Sequence, residues 1–192
     1  MSKQQLRKLY KQRRQALTAA QVSEGSQAIA RLFFGAFTVE KMRSVHCYLP
    51  IRLQKEIDTF PIIFTIHEKF LHTKVVIPRS LPETSDMEHY LWQSDMTLDM
   101  NPWGILEPNP ATSILFPVSQ IDAVIVPLLA CDRHGHRVGY GKGFYDKFLA
   151  QCRPETLKIG VSYFDPLLDP ILTDPTDVAL DYCITPTRVW RF

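Results

Sequence analysis

Between Gly135 and Asp146 the chain reads Gly-His-Arg-Val-Gly-Tyr-Gly-Lys-Gly-Phe-Tyr-Asp, so glycines at 139, 141 and 143 alternate with other residues while Arg137 and Lys142 stand among them. Glycine lets the backbone take positive φ and brings amide N–H groups against a ligand with no Cβ in the way. Amides turned toward one point bind anions, and the two cations add full charges to that attraction. Ahead of the run, Asp122-Ala-Val-Ile-Val-Pro-Leu-Leu-Ala has the composition of a buried strand, and behind it Phe144-Tyr-Asp-Lys-Phe-Leu-Ala has helical spacing. The pattern predicts a strand, a glycine-rich turn and a helix start, with the positive end of the helix dipole facing the same guest. A polyphosphate is the ligand such a turn fits.

Two other phosphate loops are excluded by position. The P-loop pattern needs a glycine where His136 stands and a hydroxyl residue where Gly143 stands, and the dinucleotide fingerprint needs its third glycine at Phe144. A glycine-rich hairpin with no ligand is the plainer alternative, set against the interleaved basic residues and the closing Asp146.

The elements that must position this turn are legible in outline. Residues 2 to 16 read as a helix with Lys3 and Arg7 one turn apart on a shared face, and a second helix runs from about 19 to 36 behind Thr18 as its N-cap. By themselves Lys3 and Arg7 read as a solvated basic face. Ser44-Val-His-Cys-Tyr-Leu is a short β-rich run ended by Pro50; Asp58 or Thr59 then opens a helix through about Phe70, with Glu56 just ahead of it, where an acid is also favoured by the helix dipole. Lys74-Val-Val-Ile-Pro, Met87 to Trp92, Leu157 to Phe164 and Tyr182 to Thr185 supply further strands. A proline-punctuated stretch between the strands holds Trp103-Gly-Ile-Leu-Glu-Pro, where the indole either plugs the core rim or offers a flat face to a ring. Asp177 closes a second proline-rich stretch, where a turn residue satisfying its own backbone is the plain reading. Strands alternating with helices predict an α/β protein with a largely parallel sheet covered on both sides, and a ligand site at the carboxyl ends of its strands.

Composition bounds the function. At 192 residues, 45% of them hydrophobic and 22% charged, the chain fits one domain, residues 1–192, able to bury a core without metal or disulfide. A formal net charge of +2 is too small for a general nucleic-acid binder, and no apolar stretch has the length of a membrane helix. Lys3, Arg7, Lys8, Lys11, Arg13 and Arg14 all precede the first acid, Glu24, which is the composition of a transit peptide or a basic tail; the segment is expected to be mature protein. Cys47, Cys131, Cys152 and Cys183 are widely spread with no zinc spacing, as expected of a reduced, cytoplasmic chain.

Gly135-x-Arg137-x-Gly139-x-Gly141-x-Gly143-Phe-Tyr145-Asp146, with Lys3-Gln-Gln-Leu-Arg7, Glu56-Ile-Asp-Thr, Trp103-Gly-Ile-Leu-Glu-Pro and Asp177, resembles the 5-formyltetrahydrofolate cyclo-ligase family over nearly the whole chain. That resemblance implies a three-layer, single-domain α/β fold similar to that of sugar-phosphate isomerases and CoA transferases. It implies ATP- and Mg²⁺-dependent closure of 5-formyltetrahydrofolate to 5,10-methenyltetrahydrofolate. ATP is then expected at Lys3, Arg7, Arg137, Val138, Gly139, Tyr140, Gly141, Lys142, Gly143, Phe144 and Tyr145. The folate is expected at Leu49, Glu56, Trp103, Tyr140, Gly141, Lys142, Gly143 and Phe144, and the metal at Asp146 and Asp177. Arg137 and Lys142 are the expected catalytic cations. The partners implied are the two substrates, with no nucleic acid and no membrane, and the chain is expected to be a monomer, a weak homodimer being the alternative.

Overall fold

A computed structural model describes residues 1–102 and 104–192. It contains four α-helices, α1 (Lys3–Gln15), α2 (Ala19–Ala36), α3 (Phe60–Lys69) and α4 (Phe144–Gln151), and eleven strands. The strands are β1 (Ser44–Cys47), β2 (Lys74–Leu81), β3 (Asp86–Leu91), β4 (Leu98–Met100), β5 (Leu106–Pro108), β6 (Ala123–Pro127), β7 (Ala130–Cys131), β8 (Arg137–Val138), β9 (Leu157–Val161), β10 (Tyr182–Ile184) and β11 (Val189–Arg191). Seven of them form one sheet in the order β11-β10-β9-β6-β1-β2-β3. Its five inner strands are mutually parallel, and β3 and β11 pair antiparallel at the edges. The expected largely parallel sheet is therefore present.

Period-two alternation distributes the core between two faces. Val45, Cys47, Ala123 and Ile125 face Ile29, Phe33, Ile62, Ile63 and Ile66 of α2 and α3, while Val124 and Val126 face Phe148 and Leu149 of α4. Phe33, Ile63 and Ile125 are wholly buried, so truncating any of them to alanine costs about 2–5 kcal/mol. Cys47, Cys131 and Cys183 are buried and unpaired, acting as small hydrophobes. Among the described residues no helix is long and apolar enough to cross a membrane.

Helix α1 belongs to neither layer. Its Leu6 and Tyr10 pack on Leu129, Ala130, Val138 and Ile171, so it rides on the β7–β8 hairpin at the carboxyl end of the sheet. Ser2 and Thr18 cap α1 and α2 through reciprocal bonds with Gln5 and Gln21, as Thr18 was expected to do. Thr59 stands at the start of α3 but spends its hydroxyl on the Tyr48 carbonyl at 2.5 Å, leaving Asp58 to accept from the Phe60 N–H at 3.0 Å.

The expected passage from one long strand straight into the glycine turn needs correction. β6 ends at Pro127, and the chain makes the small β7–β8 hairpin before reaching residues 139–143 and α4. Asp132, fully buried, is the reason. It accepts from the N–H groups of His134 and His136, from the His136 ring at 3.0 Å and from the Ile171 N–H at 2.8 Å, tying the hairpin turn to the later proline-rich stretch. His134 and His136 thus sit in this turn, with His136 directed to a carboxylate.

Candidate active site

The parallel strands run outward from β1 in two directions, to β2 on one side and to β6 on the other, so the order reverses between β1 and β6. Open α/β sheets bind ligands in the crevice outside the carboxyl ends of such strands. A cleft of about 310 Å³ lies there, lined by Tyr48, Leu49 and Glu56 after β1, Pro78 and Ser80 of β2, Pro127 ending β6, and residues of the glycine turn.

The turn is held from outside by α1. Arg7 donates from Nε to the Gly139 carbonyl at 3.1 Å, and its guanidinium lies where a Cβ on Gly141 would come within 3.1 Å of it. Gly141 also sits at φ +88°, and Gly143, at φ +77°, leads into α4; any other residue would be strained at both. Among the described residues, the N–H groups of Gly141, Lys142 and Gly143 donate to no backbone or side-chain acceptor. Lys142 is exposed and forms no ion pair among the described residues. The turn thus presents unspent donors and one unspent cation.

Beside it runs a chain of charges. Lys3 reaches Asp174 at 2.6 Å and Asp177 at 2.5 Å, and Asp177 also accepts from the Asp174 N–H at 2.8 Å. Arg137 donates to Asp146 at 2.7 Å and to the Val178 carbonyl, while the Val178 N–H returns to Asp146 at 3.2 Å. Burial pushes the Asp177 carboxyl up, but Lys3 and the Asp174 N–H outweigh it and the net shift is downward. Burial pulls Arg137 down from its usual range against the opposing pull of Asp146 and Asp177. Two of the four expected phosphate cations, Lys3 and Arg137, are therefore each bound to an expected metal acid.

Those acids suit magnesium. Each uses a single oxygen in the contacts above, Oδ1 of Asp146 and Oδ2 of Asp177, leaving a second hard oxygen on each. Among the described residues there is no group of three His, Cys, Asp or Glu that would form an all-protein cage. Mg²⁺ is commonly held by one or two carboxylates together with substrate phosphates, so two acids beside a turn with unspent N–H donors are a donor set that fits it.

The other end of the cleft is built differently. Glu56 is 6% exposed; its Oε2 accepts from the Ile51 N–H at 2.8 Å and its Oε1 from the Tyr140 hydroxyl at 2.5 Å. The loop ahead of it is anchored by Lys55, in the left-handed region at φ 47°, whose ammonium holds the Gln15 and Leu17 carbonyls at 2.5 and 2.7 Å. Burial raises the Glu56 carboxyl above its usual range, opposed by the Ile51 N–H, the Tyr140 hydroxyl and the charge of Arg14. Leu49, Pro78, Met87, Ile105, Leu106 and Phe144 make this part of the wall apolar. Of the other expected contacts, Tyr145 lines the cleft but buries its ring against His46 and Phe148, and the Val138 side chain is buried under α1. Trp103 lies outside the described residues.

A model of the 5-formyltetrahydrofolate cyclo-ligase family matches residues 1–186. The chain belongs to this family. Among the cyclo-ligases it resembles, the 5-formyltetrahydrofolate cyclo-ligase of Mycolicibacterium smegmatis is 32% identical over 190 residues, covering 97% of this chain and 95% of the relative. That of Escherichia coli is 29% identical over 187 residues, covering 96% and 100%. The solved 5,10-methenyltetrahydrofolate synthetase of Aquifex aeolicus superposes with a TM-score of 0.83 at 26% identity, covering 100% of this chain and 93% of that one. The synthetase of Mycoplasma pneumoniae gives 0.72 at 27% identity, covering 97% and 99%. Membership places the chain among the ligases.

Three residues that brace the cyclo-ligase cleft from outside its lining were not singled out by sequence. Asp174 shares Lys3 with Asp177, Asp132 ties the hairpin turn to the Ile171 N–H, and Arg14 meets the Tyr140 hydroxyl. Asp132 carries a readable signal, an aspartate three residues before a glycine in a turn. Arg14 lies two turns beyond Arg7 and so shares its face, but a basic residue on a basic helix reads as solvated.

Proposed function

We propose that the protein converts 5-formyltetrahydrofolate to 5,10-methenyltetrahydrofolate with consumption of ATP, releasing ADP and phosphate, and that Mg²⁺ accompanies the nucleotide. A formamide carbon is a poor electrophile and its oxygen a poor leaving group. In the proposed sequence the formyl oxygen attacks the γ-phosphorus of ATP and ADP departs, leaving an iminium phosphate at N5. N10 then adds to the activated carbon, the carbon–oxygen bond breaks toward phosphate, and the N10 proton is lost. The oxygen leaves as part of phosphate rather than as hydroxide.

The observation that carries this reading is the cleft itself, which sets three unspent amides and Lys142 beside two paired acids at one end and Glu56 within an apolar wall at the other. Phosphoryl transfer asks mostly for positioning and charge neutralisation. In this reading Lys142 and the turn amides take the γ- and β-phosphates, and Arg137, nearly buried, supplies a fixed positive charge behind them. Lys3 and Arg7 hold the turn and the acids in place and close on the phosphates. Asp146 and Asp177 would hold Mg²⁺, which when bound neutralises phosphate charge. Glu56 and Leu49 orient the folate so that its formyl oxygen faces the turn.

The test follows methenyl-folate by its near-ultraviolet absorbance, with ATP and Mg²⁺ each present or withheld. The expected signal requires both. Equal formation without ATP would overturn the phosphorylation route while leaving the folate site standing.

A further inference from the structure

We infer that Arg14 is a positioning residue for the folate end of the cleft, holding the Tyr140 hydroxyl so that Glu56 is fixed as a hydrogen-bond acceptor facing the ligand. The inference rests on the reading above that Glu56 meets the folate. Arg14 donates from its terminal nitrogen to the Tyr140 oxygen, and Tyr140 donates onward to Glu56 Oε1 at 2.5 Å. A guanidinium has no acceptor, so this chain runs in one direction only: Arg14 fills a lone pair of the phenol, and the single phenolic proton must point at Glu56. Each Glu56 oxygen then has one lone pair committed, to Tyr140 or to the Ile51 N–H, and one left for the cleft. A carboxylate locked in that role selects a ligand edge rich in N–H donors, and the amino-oxo-pyrimidine edge of a reduced pterin is of that class.

Arg14 itself stands outside the cleft. It is 5% exposed and lines a separate small space with Glu56 and Tyr163 behind the wall, while of the three relay residues Tyr140 and Glu56 line the ligand side and Arg14 does not. Among the described residues its Nε has no partner, and its charge reaches the Glu56 carboxylate through the phenol. Burying a guanidinium on these terms is unfavourable unless the arrangement serves something beyond stability. With Lys11 also 5.3 Å from the Tyr140 ring centre and Arg7 on the Gly139 carbonyl, one face of α1 fixes both the turn and the tyrosine within it.

The experiment measures equilibrium binding by calorimetry on the full chain, using 5-formyltetrahydrofolate without nucleotide and a non-hydrolysable ATP analogue without folate. Arg14→Met is expected to weaken folate binding roughly tenfold and to change analogue binding less than about twofold. Arg14→Met combined with Tyr140→Phe should bind folate no worse than Tyr140→Phe alone, because the arginine acts through the hydroxyl. Arg14→Lys should recover part of the loss. Folate binding like that of wild type in Arg14→Met, additive losses in the double variant, or equal weakening of both ligands would each overturn the proposal. Should Arg14→Met fail to fold, Tyr140→Phe and Arg14→Lys decide it: Tyr140→Phe must weaken folate selectively and Arg14→Lys must fall between it and wild type. These titrations involve no turnover, so a failure of the ATP-dependent route shows in the absorbance assay and not here.

Discussion

At the start of α1, Lys3, Asp174, Asp177, Arg137 and Asp146 form ion pairs in which cation and acid touch directly; at its end, Arg14 and Glu56 are separated by a hydroxyl. The first group is graded: the Asp174 side chain is 70% and Lys3 16% exposed, while Arg137 is 5% exposed and as buried as Arg14 and Glu56, at 5% and 6%. Exposed pairs contribute little to stability and exchange partners at small cost, but a buried pair broken on one side strands a charge. The Lys3 pair can therefore exchange its exposed Asp174 partner at small cost, while Arg137 and Asp146 stay fixed. The other end is suited to a ligand that enters a fixed set of acceptors.

The contrast is broken most severely at the turn. Lys142→Ala should lower kcat roughly 10²- to 10³-fold, the loss typical of one donor aimed at developing charge. Because the side chain is exposed and forms no ion pair among the described residues, the melting temperature should stay put. A steady-state assay beside a thermal melt checks both halves, and unchanged kinetics would remove the lysine from the reaction.

Both ends rest on one floor, which acid should attack. His46 is wholly buried, among the described residues neither ring nitrogen has a partner, and its ring lies 5.1 Å from that of His89 and 4.7 Å from that of Phe148. Burial pulls His46 well below the usual histidine range, with His89 adding to it, and burial brings His89 from 6.5 to about 4 against the opposing charge of Glu88. Above 6.5 the ring is neutral in both states; below it the unfolded chain takes a proton that the folded one refuses. Stability is thus present above pH 6.5 and lost as pH falls toward about 4, by about 3 kcal/mol for His89 alone. Denaturant titrations across that range should show the loss, and His89→Phe should reduce it while leaving the part due to His46. Since Tyr145 and Phe148 of α4 pack on this pair, phosphate-side and folate-side binding should fail together.

A narrower test separates the ends. Glu56→Gln keeps the shape but removes the charge that accepts from Tyr140 and Ile51, so the KM for folate should rise roughly tenfold or more, as loss of a charged hydrogen bond requires, with the KM for ATP little changed. A matching rise for ATP would show that the two ends are one electrostatic unit.

How far the sequence foretells this division depends on the length over which each signal extends. The apolar runs of β1, β2, β6 and β9 and the Thr18 cap were legible because each is declared by neighbouring residues. The β7–β8 hairpin has two residues in each strand, too few for a period, and exists because Asp132 gathers N–H groups from both sides of its turn. The direct ion pairs were half legible: Lys3, Arg137, Asp146 and Asp177 were named, but as ligands of a guest rather than of each other. Arg14 was not legible at all, since its meaning lies in a hydroxyl 126 residues away.

The smallest expected effect tests whether exposure alone ranks the acids at the charged end. Asp174 and Asp177 both hold Lys3, yet Asp177 also accepts the Asp174 N–H and stands next to Val178, whose amide and carbonyl bridge Asp146 and Arg137. Asp174→Asn should therefore change stability by no more than about 1 kcal/mol, as exposed pairs do, and leave the magnesium dependence of turnover where it was. Asp177→Asn, equally conservative in shape, should raise the magnesium concentration needed for half-maximal rate. Equal behaviour of the two variants would mean that Lys3, and not a metal, is what Asp177 is there to hold.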